Sequence, residues 1–218
     1  MTDFTTARLS MVESQVRANR VIDDRIIAAM RTLPREVFLP AALHGIAYVD
    51  EDLPLGGGRF AVEPMVLSRL LQALELTEND RVLVVGANGG YSAAIAAQIA
   101  RSVVALESEE RLAALCAEAA GRMKIANLVP VRGPLAEGHQ AGAPYDAILI
   151  EGAVEELPPT LLGQLADGGR LACMFRGTDG IARALLVTER DGVFGRRVLF
   201  DAGTPLLPGF ARPRAFAL

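Results

Sequence analysis

Apolar residues fall along this chain in two rhythms, and the alternation between them sets the expected architecture. Arg81–Val85, RVLVV, is a short apolar run of strand length, while the stretch from Tyr91, YSAAIAAQIA, has the composition of a buried helix. Gly86, Gly89 and Gly90 stand between them. A strand that breaks into glycines and restarts as a helix is the unit from which α/β sheets are built. The segments SVVALE, NLVPVRG, PYDAILIEG and GGRLACMF predict four more strands. SEERLAALCAEAAGRM and LPPTLLGQL predict helices among them, the second opened by prolines.

Upstream, the spacing of Phe4, Leu9, Val12 and Val16 predicts a docking helix within residues 4–20. A second helix starts with Asp23 or Asp24 as its cap and ends at Pro34. PREVFLP predicts an irregular turn. Residues 41–63 carry Tyr48, the acids Asp50, Glu51 and Asp52, Pro54 and three glycines from Gly56 to Gly58. They predict a loop with a short hairpin, long enough to serve as a lid. Pro64 opens an amphipathic helix, MVLSRLLQALEL. Downstream, ARALLVTER and RRVLFDAG meet at Asp191-Gly192, the signature of a hairpin. The expected fold is α/β: a doubly wound, mostly parallel sheet with an N-terminal helical segment and a C-terminal antiparallel hairpin.

Composition narrows the function classes. With 218 residues and 51% apolar content the chain supplies a good-sized core. A net charge of −4 argues against nucleic acid as a partner, and the pair Arg212 and Arg214 is too small to reverse that. Cys116, Cys173, His44 and His139 are scattered, which excludes a disulfide framework and a clustered metal site. The N-terminal MTDFTTARLS lacks a signal pattern, and Gln98 and Arg101 interrupt the longest apolar run. A cytoplasmic protein with no membrane partner is expected.

The glycine turn is the candidate ligand site, because glycine lets a ligand approach the backbone at a helix N-terminus. Glu107 ends the next strand, 21 residues after Gly86, where a carboxylate can take two hydrogen bonds from a ribose diol. The dinucleotide fingerprint fails, since Asn88 and Tyr91 stand where its later glycines belong, and a P-loop lysine is absent. A nicotinamide-linked oxidoreductase is thereby disfavoured. What survives is an adenosine site without strong phosphate handling, with close packing of the glycines as the plain alternative.

The stretches MVESQVR, LPREVFLP, AY-x-DEDLP, EPMV, RVLVVGANGGYSAA, VVALESEERLA, NLVPVRG, APYDAILIEGA and PPTLLGQLADGGRL are in an informative order and spacing. Together they cover most of residues 11–175 and resemble protein-L-isoaspartate O-methyltransferases. The resemblance implies a methyltransferase-type sheet and methyl transfer from S-adenosylmethionine to a carboxylate of damaged aspartyl residues in proteins. It also implies an organisation of residues 1–63 as N-terminal helices with a substrate-side loop. Residues 64–218 would form the methyltransferase-like α/β domain, within one compact unit. Such a reaction needs no strong general base, because an aspartyl carboxylate is already ionised at neutral pH; alignment and exclusion of water carry it. No catalytic side chain is singled out.

By resemblance, the cofactor-binding positions are Gly86, Ala87, Asn88, Gly90, Tyr91, Glu107, Ser108, Pro134 and Leu135. The substrate-binding positions are Arg59, Phe60, Val62, Glu63 and Glu151. A protein or peptide with a modified aspartyl residue is the implied partner. Several positions depart from the family. Its Gln-Thr-Ile-Ser-Gln-Pro is Arg59-Phe60-Ala61-Val62-Glu63-Pro64 here, which removes two hydroxyls. Val84 replaces a strand acid, Gly133-Pro134-Leu135 replaces Gly-Asp-Gly, and Glu151 replaces a threonine. These changes support a second expectation, a non-catalytic descendant that acts as a binding or regulatory protein. Arg59 is the newcomer expected to meet an anionic group, with its removal leaving the melting temperature nearly unchanged.

Overall fold

A computed structural model of the chain describes residues 3–213; Arg214, the second member of the basic pair, lies outside them. The N-terminal segment begins with α1 (Phe4–Met11), capped by Asp3, whose carboxylate accepts from the Thr5 and Thr6 amides. The helical path then loosens into a π turn and a 3-10 turn that stops at Arg20 in the left-handed region. One helix over 4–20 is therefore too simple, although Met11, Val12 and Val16 are buried along a common side. Helix α2 (Asp24–Thr32) is capped by Asp23. The PREVFLP segment is more ordered than a turn, with a 3-10 helix at Arg35–Phe38, and a second at Ala41–Ile46 opens the stretch expected to be loop and hairpin.

The hairpin comprises β1 (Leu53–Gly56) and β2 (Arg59–Ala61). Helix α3 (Pro64–Ala73) follows. The acids before the hairpin serve it: Asp52 accepts from the Glu63 amide at 2.9 Å and Asp50 from the Met65 amide at 3.4 Å. They satisfy exposed donors at the helix start, as capping acids do.

The main sheet uses β3 (Arg81–Val85), β4 (Ser102–Glu107), β5 (Leu128–Arg132), β6 (Tyr145–Val154), β7 (Leu165–Arg176), β8 (Ala182–Arg190) and β9 (Val193–Asp201). Helices α4 (Tyr91–Ala97), α5 (Glu110–Arg122) and the short α6 (Pro159–Leu162) lie between strands. The order is β5-β4-β3-β6-β7-β8-β9, parallel from β5 to β7 and antiparallel at β8 and β9. The chain winds one way from β3 to β5 and the other way from β6, so the sheet reverses between β3 and β6. In open sheets of this kind a crevice forms there at the carboxyl ends. Asp146 locks the entry to this pair by accepting from the Arg81 amide at 2.7 Å.

Apolar clusters cover both faces of the sheet, one including Val84, Leu71 and Met30, the other including Leu83, Ile148 and Phe210. A smaller cluster of Leu39, Leu53, Ala61 and Leu112 seats the hairpin. No helix among the described residues is long and apolar enough to cross a membrane.

Close packing explains one glycine of the turn. A methyl group at Gly89 would stand 1.9 Å from the Phe38 carbonyl oxygen, a backbone atom with no room to yield. Gly89→Ala is expected to destabilise the fold by about 3 kcal/mol or more, read as a lowered midpoint in chemical denaturation.

Candidate functional site

The turn after β3 spends its own backbone donors. Gly86 and Ala87 both donate to the Leu106 carbonyl, at 2.9 and 3.0 Å, and Gly90 donates to Ala87. Asn88 takes φ +53°, in the left-handed region that asparagine tolerates. Its amide donates to Glu107 Oε2 at 2.8 Å. The amides of Gly86, Ala87, Asn88 and Gly90 thus turn inward, to the neighbouring strand or to the bend itself, rather than toward an approaching ligand.

Glu107 is fully buried at the end of β4. Oε1 accepts from the Ser108 and Glu109 amides at 2.8 and 2.9 Å. Arg59 fills the remaining face: Nη1 donates to Oε1 at 3.0 Å and Nη2 to Oε2 at 2.9 Å. Both side chains are 1% exposed. This is the two-pronged guanidinium–carboxylate pairing that charge and planar geometry favour. The two residues were expected on opposite sides of a transfer reaction, Glu107 with the donor and Arg59 with the substrate. The structure brings them into one ion pair.

Asn88 ties this pair to the rest of the cleft. Its Oδ1 accepts from Arg59 Nη2 at 3.1 Å, and its Nδ2 donates to the Phe60 carbonyl and to Glu151 Oε1, both at 3.0 Å. Ser92 donates to the other oxygen of Glu151. Burial pushes the Glu151 carboxyl up to about 7, against the lowering pull of those hydrogen bonds and of Arg59 and Arg35. Glu63, at the start of α3, is also pushed up to about 7, first by burial and then by Asp52 and Asp50.

The remaining residues have structural surroundings. Tyr91 packs against Phe38 at 5.6 Å between ring centres and lies beside the buried Arg35 guanidinium; burial raises its hydroxyl pKa. Arg35 donates to the Val62 carbonyl at 3.0 Å. Val62 is in the core, and Leu135, which follows Pro134, joins the apolar cluster that contains Leu207 and Phe210. His44 and His139 lie away from the cleft, near Leu39 and Tyr145.

The sequence reading missed the tail. Residues 204–210 return from β9 to the carboxyl end of β6, where Leu207 donates to Ala153 and Ala153 to Pro205. Leu207 Cδ1 would lie 3.1 Å from a methyl group placed on Gly86, and Arg59 Nη2 would lie 3.0 Å from it. A hollow bordered by Phe60, Val62, Glu151, Gly152 and Leu207 has a volume of about 10 Å³. That is on the order of the room needed by a single water.

Comparison with known proteins identifies the frame. The family model described as Protein-L-isoaspartate(D-aspartate) O-methyltransferase matches residues 7–191. The chain belongs to this family. Protein-L-isoaspartate O-methyltransferase 1 of Rhodopseudomonas palustris is 40% identical over 192 residues, 88% of this chain and 78% of that protein. The enzyme of the same name from Koribacter versatilis is 37% identical, over 92% of this chain and 90% of its own length. A Plasmodium falciparum structure, described as a beta-aspartate methyltransferase in complex with S-adenosyl-L-homocysteine, superposes with a TM-score of 0.77. It is 22% identical and covers 92% of this chain and 97% of its own, a likeness of fold.

S-adenosylmethionine is the donor of this isoaspartate methyltransferase family. In the arrangement described, the residues do not fit it. The Glu107 oxygens are taken by five strong donors from protein groups, and Arg59 and Leu207 stand on Gly86 where a nucleoside would approach.

Two outcomes follow for this site. Removing one partner of a buried ion pair costs roughly 3–5 kcal/mol. Glu107 keeps three main-chain donors without Arg59. Arg59→Ala should therefore cost about 3 kcal/mol, the lower end of that range, seen in denaturant unfolding; this replaces the expectation of an unchanged melting temperature. Glu151 titrates near 7 when folded against an ordinary 4.5, so within that window the folded state holds a proton that the unfolded state releases. Stability therefore falls as pH rises through it. Glu151→Gln should flatten that fall, with Glu63 supplying the remainder, as measured by unfolding free energy at a series of pH values.

Proposed function

We propose that the chain is an S-adenosylmethionine-dependent methyltransferase of the protein-L-isoaspartate type, acting on a carboxylate of a damaged aspartyl residue in a protein or peptide. Family membership across residues 7–191 carries the reading. The sheet reversal at β3 and β6 and the acid that closes β4 supply a frame consistent with it. The substrate carboxylate is ionised at neutral pH and needs no base, in keeping with a cleft from which both histidines are distant. The protein's contribution is to orient that carboxylate and to exclude water. The hairpin and the start of α3 border the cleft and offer Phe60 and Glu63 for that contact. Glu63 and Glu151, when ionised, oppose an approaching anion, so their protonation favours its entry.

A second reading is favoured by one observation, the Arg59–Glu107 ion pair in the expected nucleoside position. Under it the chain keeps the fold and serves as a non-catalytic binding or regulatory protein.

Incubation with labelled S-adenosylmethionine separates the two. The methyltransferase reading expects base-labile methyl ester on an isoaspartyl peptide and none on its normal aspartyl counterpart. Folded protein that leaves both peptides unlabelled at millimolar donor would sink that reading in favour of the second.

A further inference from the structure

We propose that Arg59 is an internal occupant of the ribose position on Glu107, so that its seating and the binding of an adenosine-type ligand exclude each other. The proposal deepens the methyltransferase reading and rests on it for the identity of the cleft. The chemical likeness lies in the donors. The guanidinium sets two N–H groups 3.0 and 2.9 Å from the two carboxylate oxygens; a vicinal diol would bring two O–H groups to the same acceptors. Both cannot be accommodated, because Asn88, Ser108 and Glu109 hold the other lone pairs of Glu107 through their amides. Charge adds to the exclusion, since a sulfonium arriving beside a seated guanidinium meets a like charge in a dry site.

The anchoring of Arg59 also shows how it could leave. Its guanidinium contacts are with Glu107 and Asn88, both on the cleft side, and its Nε is buried without a partner. Seated, the side chain leaves one donor unsatisfied that water would satisfy on withdrawal. Arg59 begins β2, directly after Gly56, Gly57 and Gly58, all at positive φ. The group that closes the site is thus carried by the hairpin rather than by the sheet. If the withdrawn state is populated at about 1%, the apparent affinity for a nucleoside falls on the order of 100-fold.

The test is calorimetric titration of the folded 218-residue chain with S-adenosylhomocysteine. Wild type is compared with Arg59→Gln, each also in a Leu207→Ala background so that the tail cannot mask the effect. Arg59→Gln should bind at least about 10-fold more tightly than its parent in one or both backgrounds. The gain should extend to adenosine and be lost with 2′,3′-dideoxyadenosine, which has no diol to offer Glu107. Equal affinities in both backgrounds, or an equal gain for the dideoxy compound, overturn the proposal. Should Arg59→Gln fail to fold by circular dichroism, wild type decides: a dissociation constant tighter than about 100 μM overturns it and a weaker one upholds it. The outcomes for the two readings stay separate. Tight nucleoside binding by Arg59→Gln without ester formation removes the methyltransferase reading alone. Ester formation by wild type with no gain in Arg59→Gln removes the occupancy alone.

Discussion

A guanidinium and a carboxylate, both withdrawn from water, hold the centre of this molecule. Arg59 and Glu107 are 48 positions apart in the chain and belong to different sheets, so their pairing fixes how the small hairpin sits on the large sheet. A buried ion pair adds little net stability over an apolar substitute, but it penalises any arrangement that leaves one charge alone. Asn88 extends the constraint by joining Arg59, Glu107, Glu151 and the Phe60 carbonyl in one network. The left-handed backbone at Asn88 is what brings all four within its reach. Hairpin, glycine turn and β6 are thereby specified together.

The two buried acids of this network have different electrostatic support. Glu107 faces a full positive charge and three backbone amides. Glu151 has two neutral donors, Asn88 and Ser92, and cations only at longer range, so burial dominates its titration. The Arg59 guanidinium goes to Glu107 and Asn88, and that of Arg35 to the Val62 carbonyl. The cleft therefore places a buried ion pair beside a carboxyl that changes charge near neutral pH. An anionic group approaching Glu151 meets a different field on either side of that transition.

Much of the frame was legible because it rests on local rules. The apolar run Val82–Val85 followed by glycines could only be a buried strand feeding a tight turn, and Glu107 lay at the strand end where its side chain meets that turn. The hairpin at Asp191-Gly192 was equally local, both residues taking positive φ. Asp146 could be placed at a strand entry from its position before β6. Arg59 was noticed as a newcomer, yet its partner was not legible. A charge in a loop can face solvent, substrate or its own protein, and only the seating of the hairpin decides. The tail around Leu207 escaped notice for another reason: PLLPGF is too short to have a helix or strand period. Its role comes from a return path across the sheet that no local pattern encodes. The 3-10 helices at Arg35–Phe38 and Ala41–Ile46 were hidden by prolines that usually mark breaks.

That return path bears on the order in which the protein is made. Leu207, which covers Gly86, follows the bend and Glu107 far along the chain and so is synthesised well after them. While the nascent chain grows, the crevice has its acid and its glycines but lacks the tail's apolar cover. Arg59, made earlier than both, is already available to neutralise that acid. Early charge pairing followed by late capping spares the half-made protein a bare carboxylate in a dry crevice.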